Sequence, residues 1–514
     1  MTRGLWLQIC RLMTWRQCSR LLCLATLPML ALADASISAA AIASAPHAHA
    51  VRQHYAQLLA ASPPRVAELT LFANRLPKGA DLHHHYSGAI YAETYLDWVG
   101  AQSHCVFSVT DKALDIEKFR IATQPDKLSP EARKECLSAE QIKDNKNNAF
   151  YRLLLQTWSD KDYENHSHDQ LPPDQQFFNT FGYFSPVASA NYQEGLRQLK
   201  DRAMAENLGY LETMLAGAPA VDKPELDPLN LLRPDSSAAD TQAALARACE
   251  ALAADPEAKA KIDTYVRGIE ALTRGMDDER FKLRFQTYVS RGNPPARVFA
   301  SLYSAFVAAS STPMVVGVNI VGPENGIVAM RDYRLHMRMF AFLKQKYPQV
   351  KLALHAGELA LGMVPPEGLR FHIHEAVHVA GAQRIGHGID IAHEDQASAL
   401  LRQMRERGIA VEINLTSNAF ILGVKNEAHP IRLYQRHGVP FVISTDDAGV
   451  SRNNLSGEYL LYITRYRPSY EQLKATVYNS IRYSFLSEAE KREERARLDR
   501  RFAEFEREVA GWGR

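Results

Sequence analysis

From residue 79 onward, short β-type runs alternate with longer stretches in which apolar residues recur every three or four positions. The runs read GADLHHH (79–85), GYLETML (209–215), KLRFQTYV (282–289), MVVGVNIVG (314–322), KLALHAGE (351–358), QRIGHGIDI (383–391), AVEINLTSN (410–418) and PFVISTDDAG (440–449). Between them, 191–207, 239–273, 296–310, 328–346, 395–407 and 429–437 have helical amphipathicity. Eight strand runs, most followed by a helical stretch, predict a TIM-type (β/α)8 barrel of parallel strands over about 76–485.

One connection is too long for that scheme. Roughly a hundred residues separate the first run from the helix at 191–207, where about 2–6 would serve. This insertion, about 96–185, departs from the C-terminal end of a strand and is expected over the barrel mouth. Upstream, a helical segment at 51–75 is broken by Pro63-Pro64. Downstream, Leu498, Phe502, Phe505 and Val509 form one apolar stripe in the charged tail 486–514, a helix docked by one face.

The first residues have a different pattern. Arg3, Arg11, Arg16 and Arg20 precede the apolar stretch LLCLATLPMLALA, and Ala31-Leu32-Ala33 fits a small-residue cleavage site. Residues 1–33 are expected to be an export signal, with a short N-terminal anchor as the alternative; the stretch is too short to span a bilayer comfortably. The Ala/Ser-rich 34–50 is expected to be a disordered linker. The chain has 60 basic and 58 acidic residues, and loss of the four arginines in 1–33 leaves 56 against 58. Such a balance gives no reason to expect nucleic acid as a partner, nor membrane after cleavage. Three cysteines remain after 1–33. Cys105 and Cys136 share the polar insertion and are expected to pair in an oxidising compartment, periplasmic or extracellular, leaving Cys249 free; three unpaired thiols are the alternative.

Histidines and acids gather at the ends of the runs. His83 and His85 share one face of the first strand and His84 the other. His355-Ala356-Gly357-Glu358 ends the fifth run, Gly386-His387-Gly388 lies in the sixth, and Asp446-Asp447 ends the eighth. Barrel enzymes place their chemistry at this end of the strands, and strands one and eight are neighbours. Three imidazoles and a carboxylate, His83, His85, His355 and Asp446, suit one Zn2+ per chain, with water completing the sphere. Glu358 then falls beside a substrate rather than on the metal, and His387, between glycines, can approach the metal's water. Asp447 can point elsewhere in the pocket, and Gly322 leaves room for a flat ring against the backbone. The sequence His374-Glu375-Ala376-Val377-His378 also matches the H-E-x-x-H protease signature, but it precedes the sixth run, away from the expected catalytic face.

Together, KGADLHHHYSGAIY, HAGE, RIGHGIDI and STDDAG resemble the adenosine deaminase family of metal-dependent hydrolases over about 75–485. The leader, RLPKGADLH, the cysteine pair, LTSN and NSIRYSF look closer to its secreted growth-factor branch. The resemblance implies that His83, His85, His355 and Asp446 bind zinc and that Glu358 protonates the purine ring. It further implies that His387 orients and deprotonates the water, Asp447 holds the imidazole side of the purine, and Gly322 gives a backbone contact. The implied reaction is hydrolytic deamination of adenosine, and of 2'-deoxyadenosine, to the inosine product and ammonia. Ser87 stands where the family has an aspartate associated with the ribose, which opens the alternative of another aminopurine nucleoside or derivative. Ala448 replaces the usual proline and Pro323 a usual acid. A silent extracellular adenosine-binding protein is the reading outside enzymology. The growth-factor likeness also offers 51–75 as an arm for a homodimer, against a helix packed on the barrel.

Overall fold

The computed structural model describes residues 47–111, 116–163 and 171–512. The expected signal, 1–33, and the linker up to residue 46 lie outside the described residues. The linker's last residues do not continue as coil: a helix begins at Ala48 and runs to Ala60, burying Val51, Tyr55 and Leu58. A second helix, Val66–Arg75, buries Leu69 and Phe72. Both apolar faces are used within the chain. Phe72 packs on Phe505 of the C-terminal helix Glu488–Val509 with ring centroids 5.1 Å apart, and the Tyr55 hydroxyl donates to the Pro468 carbonyl at 3.0 Å.

Strand β1 (Lys78–His85) enters the barrel and is followed by the insertion. There β2 (Cys105–Asp111) pairs antiparallel with β3 (Ile116–Ala122) on one edge and β4 (Leu137–Ser138) on the other. Cys105 and Cys136 are joined as a disulfide, and Cys249 is free and buried. The expected limits of the insertion both cut helices: 96 falls inside Ala92–Ala101 and 185 inside Pro173–Ala188. These helices pack on each other, with the Tyr95 and Phe184 rings stacked 4.4 Å apart, so neither can be divided between domains.

The barrel resumes with β5 (Leu208–Gly217), β6 (Lys282–Ser290) and β7 (Val315–Val321), pairing in parallel in the order β1-β5-β6-β7. The second half, β8 (Ala353–Ala356), β9 (Arg384–His387), β10 (Ala410–Ile413) and β11 (Phe441–Ile443), pairs likewise. A bridge between Val318 and Leu352 joins the halves at one seam, and a bridge between His84 and Asp446 joins them at the other. The expected (β/α)8 barrel is therefore the observed fold.

The last strands are shorter than their apolar runs. β9 stops at His387, where His387 and Gly388 turn left-handed (φ 66° and 60°), and Ile389–His393 is a 3-10 turn. β10 stops at Ile413 because Leu415–Ile421 is a helix whose first amides donate to the buried Glu458 carboxylate. The 239–273 stretch is two helices, Ala238–Ala254 and Pro256–Thr273, split where Asp255 caps the second and Pro256 opens it. Among the described residues no helix is long and apolar enough to cross a membrane.

The Phe72–Phe505 contact ties the N-terminal helices to the barrel. Phe72 is 0% exposed, so Phe72→Ala is expected to lower stability by about 3–5 kcal/mol. A lower urea midpoint with an unchanged denaturant slope checks it.

Candidate metal centre and reaction site

The seam between β1 and the chain after β11 builds the centre. His85 N–H donates to Asp446 O at 3.0 Å, and Asp446 N–H donates to His83 O at 2.8 Å. Asp446 takes φ 60°, a left-handed conformation costing a non-glycine residue about 1–3 kcal/mol, which the two bonds hold in place. Its carboxylate thereby meets the imidazoles: Oδ1 lies 3.4 Å from His83 Nε2 and 3.3 Å from His85 Nε2. The His355 ring is 4.4 Å from that of His83 and 5.2 Å from that of His85, centroid to centroid. Ligand atoms of His83, His85, His355 and Asp446 all lie within 4.8 Å of one another. His84, on the opposite face of β1, bonds Thr213 Oγ1 at 2.8 Å.

The four residues fit a zinc-like cation. Ligands around a tetrahedral zinc stand about 3.4 Å apart, close to the His83–Asp446 and His85–Asp446 spacings. Nε2 of both His83 and His85 is buried without a hydrogen-bond partner among the described residues. The opposite ring nitrogens are held: His83 Nδ1 bonds Glu412 Oε2 at 2.7 Å, and His355 Nδ1 bonds Asn319 Oδ1 at 2.9 Å. Asn319 Oδ1 also accepts the His355 and Ile320 amides, so it is the acceptor and His355 Nδ1 the donor. Both Nε2 lone pairs are left for a metal, the arrangement that fixes ligand histidines elsewhere. Glu412 also pairs with Arg384, which reaches Glu212; burial opposes ionisation of Glu412, but Arg384 and His83 hold its carboxyl below the usual range.

Glu358 and His387 adjoin this cluster. Glu324 accepts the Gly357 and Glu358 amides at 3.2 and 2.8 Å, fixing the turn that aims Glu358 inward. Burial resists the Glu324 charge, yet Arg291, His372 and these amides bring its carboxyl down to about 2. Glu358 Oε1 lies 3.5 Å from His387 Nε2, which is 3.8 Å from Asp446 Oδ2. Burial, then the charges of Asp446 and Glu324, push the Glu358 carboxyl well above the usual range.

A chain of hydrogen bonds assigns the His387 tautomer. The Ile431 amide donates to His429 Nδ1 at 3.1 Å, so His429 carries its proton on Nε2, 3.2 Å from Asn418 Oδ1. That orients the Asn418 amide to donate from Nδ2 to His387 Nδ1 at 2.9 Å. Burial drops the His387 pKa to about 3, leaving the ring neutral with its proton on Nε2, toward Glu358 and Asp446. A neutral imidazole carrying Nε2–H can donate a hydrogen bond and orient its acceptor.

The remaining expected residues are placed as follows. Asp447 is buried with Oδ1 unpartnered, and a Cβ on Gly88 would fall 1.5 Å from that oxygen, so the 86–89 turn accepts only glycine there. Ser87, in that turn, is half-buried. Gly322, with φ 101°, ends β7 in a conformation glycine favours; a Cβ there would meet nothing closer than 3.8 Å. The His374 and His378 rings lie tilted with centroids 4.5 Å apart on the segment 372–380, apart from the cluster, and Glu375 pairs with Arg334 at 3.4 Å. Sequence reasoning missed Glu412, Asn319, Glu324, Asn418 and His429. The first two were signalled by polar letters inside otherwise apolar strand runs.

A closed parallel barrel with imidazoles and an acid at its strand ends defines the class of metal-dependent hydrolases. The family model described as adenosine deaminase matches residues 260–501 of this chain. An adenosine deaminase of Clostridium perfringens is 32% identical over 176 residues, 34% of this chain and 48% of that protein. The chain spans about half the length of such curated relatives. Among solved structures, the N6-methyl-AMP deaminase of Arabidopsis thaliana aligns with TM-score 0.53 at 16% identity, over 84% of this chain and 98% of its own. An amidohydrolase of B. ambifaria with bound Zn aligns with TM-score 0.50 at 17% identity, over 86% and 94%.

Loss of the Glu412 contact frees the His83 ring to turn. Glu412→Gln is expected to weaken zinc binding by about 10–100-fold, measured by competition with a chromophoric chelator on folded protein.

Proposed function

We propose that this chain is a zinc-dependent hydrolase that deaminates adenosine, and 2'-deoxyadenosine, to the inosine product and ammonia. The carrying observation is the ligand set of His83, His85, His355 and Asp446 set directly against Glu358 and His387. When bound, zinc supplies Lewis acidity and water activation near neutral pH. Glu358 donates its proton to the purine nitrogen next to the amine-bearing carbon, making that carbon electrophilic. His387 offers Nε2–H to the developing oxygen and keeps the attacking oxygen in line. The carboxylate left on Glu358 recovers a proton from the attacking water, and the water's second proton passes to the amine, which leaves as ammonia when its C–N bond breaks. Asp447 and the backbone at Gly322 hold the ring. A buried site keeps these dipoles strong by excluding bulk water.

Ser87, in place of an acid, favours a second reading, a modified or phosphorylated adenine nucleoside. A panel of adenosine, 2'-deoxyadenosine, AMP and N6-methyl-AMP, followed by ammonia release on zinc-loaded and chelated protein, decides between them. Export is part of the proposal, supported by the basic-then-apolar start and the Cys105–Cys136 pair.

Glu358→Gln is expected to lower kcat by at least about 10³-fold with one zinc per chain retained by metal analysis; undiminished turnover would falsify the acid role. Asn418→Asp reverses the bond to His387, placing the proton on Nδ1. It is expected to lower kcat by about 10²–10⁴-fold, as wrong-tautomer variants do elsewhere, with KM within a few-fold, in steady-state assays.

A further inference from the structure

Between β8 and β9 the chain carries a histidine pair that the reaction site leaves unused. His374 lies on the helical turn His372–Glu375, and His378 on the wider π-type turn Ala376–Ala380 that continues it. Positions four apart share one face of a helix. Here the two rings lie with centroids 4.5 Å apart and planes inclined at 39°. The three imidazoles of the metal centre stand 4.4, 5.2 and 5.4 Å from one another. The pair therefore has the ring separation of histidines that converge on one ion. His374 is half-buried and His378 exposed, so an ion can reach them from solvent.

Both rings stand on a fixed backbone. The buried Glu394 carboxylate accepts the Ile373 and His374 amides at 2.6 and 3.1 Å. Ala376, Val377 and Ala380 are buried beneath, and Ala382 N–H donates to Ala376 O at 3.0 Å as the segment closes. Little ordering is left to lose when an ion joins the rings. The protease use of an H-E-x-x-H pattern needs three protein ligands and a free glutamate. The segment offers neither: Glu375 is paired with Arg334, and among the described residues no third histidine, cysteine or acid joins the two rings in a ligand set.

We infer that His374 and His378 form a second, solvent-facing site for a divalent transition-metal ion such as zinc, separate from the reaction centre. Paired imidazoles suit such ions and do not suit magnesium or calcium, which take oxygen ligands. Water fills the remaining positions. With two protein ligands against four, the site exchanges its ion while the reaction centre stays loaded.

The test titrates Zn2+, and separately Mg2+, into the full chain whose reaction centre already holds zinc, with binding followed by calorimetry. One further equivalent of Zn2+ is expected to bind, and none of Mg2+. His374→Gln and His378→Gln are each expected to weaken that second equivalent by more than about ten-fold, beyond what loss of a supporting residue causes, with the first zinc retained. His378→Cys restores a ligand atom and is expected to bind the second ion more tightly than His378→Gln. No second zinc at about 1 mM free ion would overturn the assignment. So would a second zinc that both Gln variants leave unchanged, which would belong to other surface groups, or equal binding by His378→Cys and His378→Gln. Because the readout is binding, the result stands whether or not the chain deaminates adenosine.

Discussion

Two backbone hydrogen bonds, between His85 N and Asp446 O and between Asp446 N and His83 O, close the barrel and assemble its chemistry in one place. Within each half the strands pair over several residues; at this seam, as at the Val318–Leu352 seam, the bridge is a single pair, here His84 with Asp446. Closure and ligand placement are therefore one constraint. A shift of one residue at the seam would turn His83 and His85 outward and bring His84 in, because side chains alternate along a strand. The left-handed φ of Asp446 belongs to the same requirement: it lets the chain bond to β1 on both sides while sending its carboxylate toward the imidazoles.

Beneath the imidazoles the barrel interior is polar where most interiors are not. Arg384 stands between Glu212 and Glu412 and over the Phe485 ring at 3.7 Å. Gln286 and Asn319 continue the hydrogen bonds to His355. One guanidinium faces two carboxylates, and Asp446 adds a third. A divalent cation is the charge that balances this set, and buried charges persist when balanced and bonded. The polar interior thus does for the metal site what an apolar core cannot: it fixes which nitrogen of each ring is free.

The barrel was legible because eight β-type runs kept the spacing of a parallel barrel, and the ligand set because its histidines and acid fell at run ends. Strand lengths were not legible. His387 and Asp446 leave the extended region through tertiary bonds, and no local propensity announces a left-handed histidine or aspartate. Glu412 and Asn319 could have been read from a charge or amide amid valines and isoleucines. Glu324 was hidden by attention to Pro323, where an acid was missed one residue early. His429 carries no sequence signal, since its significance lies in its partners, the Ile431 amide and Asn418.

The turn after β1 and the loop after β11 pack against each other closely. Neither Gly88 nor Gly449 has room for a Cβ, which would fall 1.5 Å from Asp447 Oδ1 in one case and 2.3 Å from the Ile90 carbonyl in the other. The 86–90 turn and the 446–450 loop are thus packed without slack, and Asp447 has little choice of direction.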